Sequence, residues 1–259
     1  MELTLYQIDA FANKPFEGNP AAVIPLDAWL PDKLMQSIAE ENNLSETVYF
    51  VATSSGFDIR WFTPNAEVDL CGHATLASAY VIFNFLGYEA EIINFQSRSG
   101  PLLVAQHNNG FVMNFPTQAP RLTDIPAQLL KAFDVAPVDC LSSEDYILVF
   151  ENEQQVLDAQ PNFSLLAQLD LRGVIITAKG SEYDFVSRVF APKYGINEDP
   201  VTGSAFTQLI PYWAEKLGKD AMQAKQVSTR GGVVGCELLG DRVKISGNAV
   251  TYMEGRIII

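Results

Sequence analysis

The sequence predicts an α+β protein of two similar lobes, each a mixed, curled β-sheet wrapped barrel-like around one buried helix. Three observations predict it. One set of motifs occurs twice in the same register, two helical segments are apolar on nearly every side, and strand-like stretches outnumber helical ones. The chain has 259 residues, 48% apolar and 19% charged, so it can bury a core of ordinary size in one large domain or two smaller ones.

The first elements follow from local pattern. Residues 3–11 read as a strand, 16–20 as a turn and 21–26 as a second strand. Pro31 and Asp32 open a helix running to about Asn42, with Leu34, Met35 and Ile38 on one side. Residues 46–52 and 57–62 read as further strands.

The repeat begins here. Arg60-Trp61-Phe62-Thr63-Pro64 matches Arg188-Val189-Phe190-Ala191-Pro192, and each is followed by an acidic loop and a glycine that opens an apolar helix. The first helix lies between Gly72 and Gly87, the second between Gly203 and Gly218; both pairs are 15 residues apart. Ten residues after each closing glycine stand Ser97-Arg98-Ser99-Gly100 and Ser228-Thr229-Arg230-Gly231. Two strand-like stretches then follow in each half, separated by the hairpin signals Asn109-Gly110 and Gly240-Asp241. Two prolines in the linker 116–121 set the division: a lobe 1–117 with central helix 73–86, and a lobe 118–259 with central helix 204–217. Pro211 removes a backbone hydrogen bond from the second helix, so a local irregularity is expected there.

Composition narrows the partners. A net charge of −14 argues against nucleic acid and anionic membrane surfaces. No apolar run reaches the roughly 18 residues of a membrane span, and the N-terminus lacks the pattern of a signal peptide. A soluble, cytoplasmic protein is expected. Cys71, Cys140 and Cys236 are too scattered for a disulfide framework, and His73 and His107 are the two histidines, so no metal site is expected. His107 reads as an exposed turn residue.

Both central helices start at a glycine, in Leu70-Cys71-Gly72-His73 and in Pro200-Val201-Thr202-Gly203-Ser204. Helix starts carry unpaired N–H groups and partial positive charge, and glycine lets a ligand approach. If the halves are related by a pseudo-two-fold, the two starts face one cleft suited to a carboxylate. The plainer reading is that Thr75, Thr202 and Ser204 cap buried helices. Glu46 heads an apolar strand, with Val48 and Phe50 on its side, a setting that suits a group passing a proton in both directions.

The segment Asp9-Ala10-Phe11, continuing through Pro15-Phe16-Glu17-Gly18-Asn19-Pro20-Ala21-Ala22-Val23, resembles the opening signature of the phenazine-biosynthesis PhzF-like family. Leu44-Ser45-Glu46-Thr47-Val48, Leu70-Cys71-Gly72-His73-Ala74-Thr75 and Glu198-Asp199-Pro200-Val201-Thr202-Gly203-Ser204-Ala205 resemble its other motifs, in order along most of the chain. The resemblance implies the two-lobed fold of diaminopimelate epimerase and an isomerase working without metal or organic cofactor. It implies Glu46 as proton carrier on a small unsaturated ring acid, with His73, Asp199 and Ser204 orienting substrate and assisting proton traffic. Ser45, Gly72, Gly203 and Ser204 are the expected substrate-binding residues. A homodimer and a biosynthetic role are expected on the same ground.

Cys71-Gly72 also resembles the first thiol motif of diaminopimelate epimerase, which uses one cysteine per lobe. The matching second-lobe stretch holds Asp199-Pro200 and no cysteine, so Cys71 reads as a small packing residue. The leading expectation is a cofactor-independent isomerase that moves a proton on a small carboxylate-bearing metabolite. The alternatives are an amino-acid epimerase or racemase, using Glu46 or Cys71 with Asp199, and a small-molecule binding protein without turnover.

Overall fold

The computed structural model describes residues 1–107 and 110–259. They form two compact units, Met1–Asn114 with Ser246–Ile259, and Phe115–Ile245.

The first unit runs β1 (Glu2–Ala10), β2 (Asn19–Leu26), α1 (Asp32–Asn42), β3 (Glu46–Thr53), β4 (Gly56–Phe62), β5 (Glu67–Val68), α2 (Gly72–Phe85), β6 (Ile92–Ser97), β7 (Gly100–His107) and β8 (Gly110–Pro116). β1 pairs antiparallel with β2, β2 parallel with β3, β3 antiparallel with β4, and β4 parallel with β6. β6, β7 and β8 then pair antiparallel in turn. Met35, Ile38 and Ala39 of α1 pack on Ala22, Ile24, Tyr49 and Phe62. Strand side chains alternate, so Glu46, Val48 and Phe50 face the opposite side, toward α2. That helix is buried from His73 to Ala79 and at Val81 and Ile82. Its last turn emerges, with Phe85 and Leu86 exposed and Phe85 held 4.7 Å from the Tyr6 ring.

The second unit runs β9 (Arg121–Leu122), α3 (Ala127–Ala132), β10 (Asp139–Ser142), β11 (Tyr146–Val149), α4 (Glu153–Asp158), α5 (Phe163–Leu166), β12 (Val174–Lys179), β13 (Phe185–Ala191), β14 (Ile196–Asp199), α6 (Phe206–Leu217), β15 (Ala221–Gln226), β16 (Gly232–Leu239) and β17 (Arg242–Gly247). The pairing senses repeat those of the first unit. β10 is antiparallel to β11, β11 parallel to β12, β12 antiparallel to β13, β13 parallel to β15, and β15 antiparallel to β16. Outside this sheet, Leu129, Val156 and Leu166 pack on Leu148, Ile176, Val186 and Phe190. Inside, Trp213 of α6 stacks on Phe185 at 5.5 Å and its indole N–H donates to Thr177 Oγ1 at 3.0 Å.

One turn of 3-10 helix at Gly203–Ala205 leads into α6, which continues through Pro211. Proline deprives the Thr207 carbonyl of its donor four residues on. The N–H of Gln118, from the stretch before β9, fills that vacancy at 3.0 Å. The expected irregularity is thus repaired from outside the helix.

The repeated arginines have matching tasks. Arg60 grips Glu67 through Nε and Nη2 at 2.7 and 2.8 Å, and Arg188 grips Glu198 in the same way at 2.7 and 3.0 Å. Each guanidinium also lies over the phenylalanine of its own motif, Phe62 at 5.2 Å and Phe190 at 5.1 Å.

β18 (Ala249–Ile258) pairs antiparallel with β1, from Glu2↔Ile258 to Ala10↔Ala249. A division at 117/118 assigns this strand to the second lobe, whereas the structure places it in the first unit, where it covers the edge of β1 that β2 leaves open. The Gly240 turn forms as expected, with φ 64°. Asn109 of the other hairpin signal lies outside the described residues; His107 is exposed and pairs with Gly110.

Candidate active site

Glu46 is placed by the exit from α1. Asn43 takes the left-handed conformation at φ 48° and closes the helix on the Ala39 carbonyl, while Asn42 Nδ2 donates to Thr47 Oγ1 at 3.0 Å. The chain therefore enters β3 at Glu46, whose partner on β2 is Ala21. The entry to α2 is held from the β6–β7 turn. Arg98 reaches Glu67 at 2.8 Å, and Ser99 Oγ donates to the Asp69 carbonyl at 2.8 Å. Cys71 is extended, at φ −144° and ψ 111°, and no side chain caps the helix. Thr75, a candidate cap, instead donates its hydroxyl back to the Cys71 carbonyl at 2.6 Å.

Three buried side chains meet here. His73 Nε2 lies 3.0 Å from Glu46 Oε2, and Cys71 Sγ lies 3.5 Å from His73 Nδ1. Glu46 Oε2 and His73 Nε2 are in ion-pair contact, but neither has an aligned hydrogen-bond partner among the described residues. Burial opposes charge on the His73 ring, yet Cys71 and Glu46 on its two sides hold its pKa well above the ordinary value. Burial, reinforced by the Glu46 charge, pushes the Cys71 thiol up. The donor atoms lie within 4.8 Å of one another, a spacing that can hold a metal. The imidazole nitrogens nevertheless face different partners, so the arrangement is a chain from thiol to carboxyl rather than a cage. Ser45 and Gly72, flanking this group, are partly buried.

The other expected residues lie in the second unit. The Asp199 carboxylate accepts from the Thr202 hydroxyl, and its carbonyl accepts from Gln226 Nε2 at 2.7 Å. The other end of that amide, Gln226 Oε1, accepts the Thr202 N–H at 2.9 Å, which fixes the turn into Gly203 and Ser204. Thr202 places no side-chain cap on this helix start.

Strand register matches the units residue by residue. Thr47 pairs with Phe62, and Val174 with Phe190. Since Arg60-x-Phe62 matches Arg188-x-Phe190, Glu46 corresponds to Gly173, Ser45 to Arg172 and Ala21 to Asp145; the glycine helix starts match Ala77 to Gln208. Asp145 is 1% exposed. Arg172 Nε donates to its Oδ1 at 2.9 Å, and Gln208 Nε2 to its Oδ2 at 2.7 Å. Its Oδ1 is 3.4 Å from where a Cβ on Gly173 would stand. Sequence reading missed this trio. The first-unit counterparts of the trio are Ala21, Ser45 and Ala77, so the repeat carries no trace of it.

A family model described as phenazine biosynthesis-like protein, PhzC-PhzF, matches residues 8–255. The chain belongs to that family. An uncharacterized isomerase of Pseudomonas aeruginosa is 49% identical over 99% of each chain. The crystal structure of a PhzF-family phenazine biosynthesis protein from Enterococcus faecalis superposes with TM-score 0.98, at 45% identity and full coverage of both chains. A predicted epimerase from Pseudomonas aeruginosa shares the fold, at TM-score 0.75, 18% identity and 99% coverage of both. The protein is an isomerase of the PhzF family, with the α+β architecture its repeat predicts.

Proposed function

We propose that this isomerase moves a proton between carbons of a small carboxylate-bearing metabolite, cyclic or amino-acid-like, with Glu46 as the proton carrier. The observation that carries the reading is the buried contact between Glu46 Oε2 and His73 Nε2 at 3.0 Å, in which both atoms keep hydrogen-bonding capacity for a third group. As carboxylate, Glu46 takes a proton from one carbon; as carboxylic acid, it returns it to another. His73 orients the carboxyl and balances its charge. The substrate carboxylate is bound by backbone N–H groups at uncapped helix starts, Gly72 and His73 or Gly203 and Ser204, with Ser45 nearby in sequence to Glu46. Asp199 assists proton traffic. The proposal includes no metal or organic cofactor, and places a homodimer in the cytoplasm.

The test is a screen of small cyclic acids and amino acids for deuterium uptake from heavy water, read by NMR, in wild type and Glu46→Gln. Uptake that needs Glu46 is expected. Uptake that survives Glu46→Gln but vanishes in Cys71→Ser, with inversion at one carbon, replaces this reading with an epimerase. The 3.5 Å approach of the thiol to His73 is what favours that second reading.

A further inference from the structure

The geometry points to Cys71 as a second proton-active group of this site, joined to Glu46 through the ring of His73. The thiol and the ring stand two residues apart at the start of α2, and the extended backbone of Cys71 leaves Sγ 3.5 Å from Nδ1. The opposite ring nitrogen is the one at 3.0 Å from Glu46 Oε2. All three side chains are buried, with His73 4% and Cys71 8% exposed. An imidazole between two such groups passes a proton by exchanging tautomers.

The transfer balances. Once the ring has given up its extra proton and is neutral, one form has a proton on sulfur, another on Nε2, and an ionised Glu46. The S–H bond breaks as Nδ1–H forms, and, with the 3.0 Å pair turned into line, the Nε2–H bond breaks as Oε2–H forms. The second form has a thiolate, an Nδ1–H imidazole and a carboxylic acid, with the same two protons and the same net charge. Glu46 is thereby switched between base and acid without a water molecule entering. The role in turnover rests on the isomerase reading above; the coupling itself does not.

The ionisable groups acting on the thiol are Glu46 from β3, whose charge raises its pKa, and His73 from α2, which lowers it together with the Ala74 backbone. Titration of the intact protein tests the coupling with no substrate present. Thiolate absorbance is followed against pH and corrected by subtracting Cys71→Ala. Cys140, pushed up to about 11 by burial, and Cys236, raised further by burial, cancel in that difference. The Cys71 midpoint should fall by about one unit or more in Glu46→Gln and rise in His73→Asn. The two variants move it oppositely, so either one that folds is informative. Nitrogen NMR of the His73 ring is the second arm. Its Nδ1 signal should follow the thiol titration in wild type and lose that step in Cys71→Ala. A Cys71 midpoint unmoved in the folded variants, or an Nδ1 signal unchanged by removing the thiol, overturns the proposal. Neither result bears on whether Glu46 moves a substrate proton, which the deuterium screen decides separately.

Discussion

Glu46 in the first unit and Asp145 in the second stand at the same end of matching strand pairs, each turned toward its central helix. Glu46 meets His73 on α2 and keeps an unaligned oxygen. Asp145 meets Gln208 on α6, is clamped by Arg172, and has both oxygens engaged. One scaffold thus buries two carboxyls, and their partners decide what each does. A carboxylate held by a guanidinium and an amide has its charge compensated and its lone pairs occupied. A carboxylate facing a lone imidazole remains available for proton transfer.

Substitutions at the two carboxyls should therefore have opposite signatures. The largest effect expected is on turnover in Glu46→Gln, a loss at or beyond about 10⁴-fold, the upper end for a general acid/base. The same change should ease unfolding only below the raised pKa of His73, where the buried ring loses the carboxylate that balances its charge, since no aligned hydrogen bond is lost with it. Arg172→Met should do the reverse. It strands a buried charge, so unfolding should become easier by about 3–5 kcal/mol, while proton exchange per folded molecule stays within a few-fold. Equal losses of activity in the two variants would break the comparison.

The outer arginines sharpen it further. Arg188 donates to the Val156 and Ala159 carbonyls at 3.1 and 2.8 Å besides holding Glu198, whereas Arg60 adds one exposed partner, Asp32. Arg188→Lys should cost about 1.5–3 kcal/mol, and Arg60→Lys less, both read from denaturant midpoints. The smallest effect concerns pH. His73 has a raised pKa when folded, so its charge adds stability that is fully present below about 6.5, the unfolded value. That contribution is lost as pH climbs through the folded value. The stability gap between wild type and His73→Asn should accordingly narrow with rising pH; a gap that widens would show that the ring is held neutral.

Legibility in the sequence followed the range of the cause. The two helices were readable because Gly72–Gly87 and Gly203–Gly218 share a spacing and enclose apolar segments, the first without charge and the second uncharged up to Glu215. The Arg-x-Phe motif was readable as a repeat, though its grip on Glu67 and Glu198 was not. Glu46 and His73 were singled out by motif, since their contact joins elements 27 residues apart. Asp145 and Arg172 lie in the bends that lead into β11 and β12 and Gln208 on α6, and nothing local marks three polar residues as one cluster. The pairing of β18 with β1 was invisible for the same reason: strand pairing across most of a chain leaves no neighbouring signal. An irregularity was expected at Pro211, whereas α6 runs through it, with the Gln118 N–H on the Thr207 carbonyl.

The return of β18 to β1 also sets an order of events during synthesis. The second unit is one continuous stretch, Phe115–Ile245, and all of it is synthesised before β18. The first unit, which carries Glu46, Cys71 and His73, begins earlier yet lacks a strand until the end. Domains generally fold as units while the chain emerges. The half that holds the reactive carboxyl is therefore translated first and completed last, with the edge of β1 uncovered through the interval.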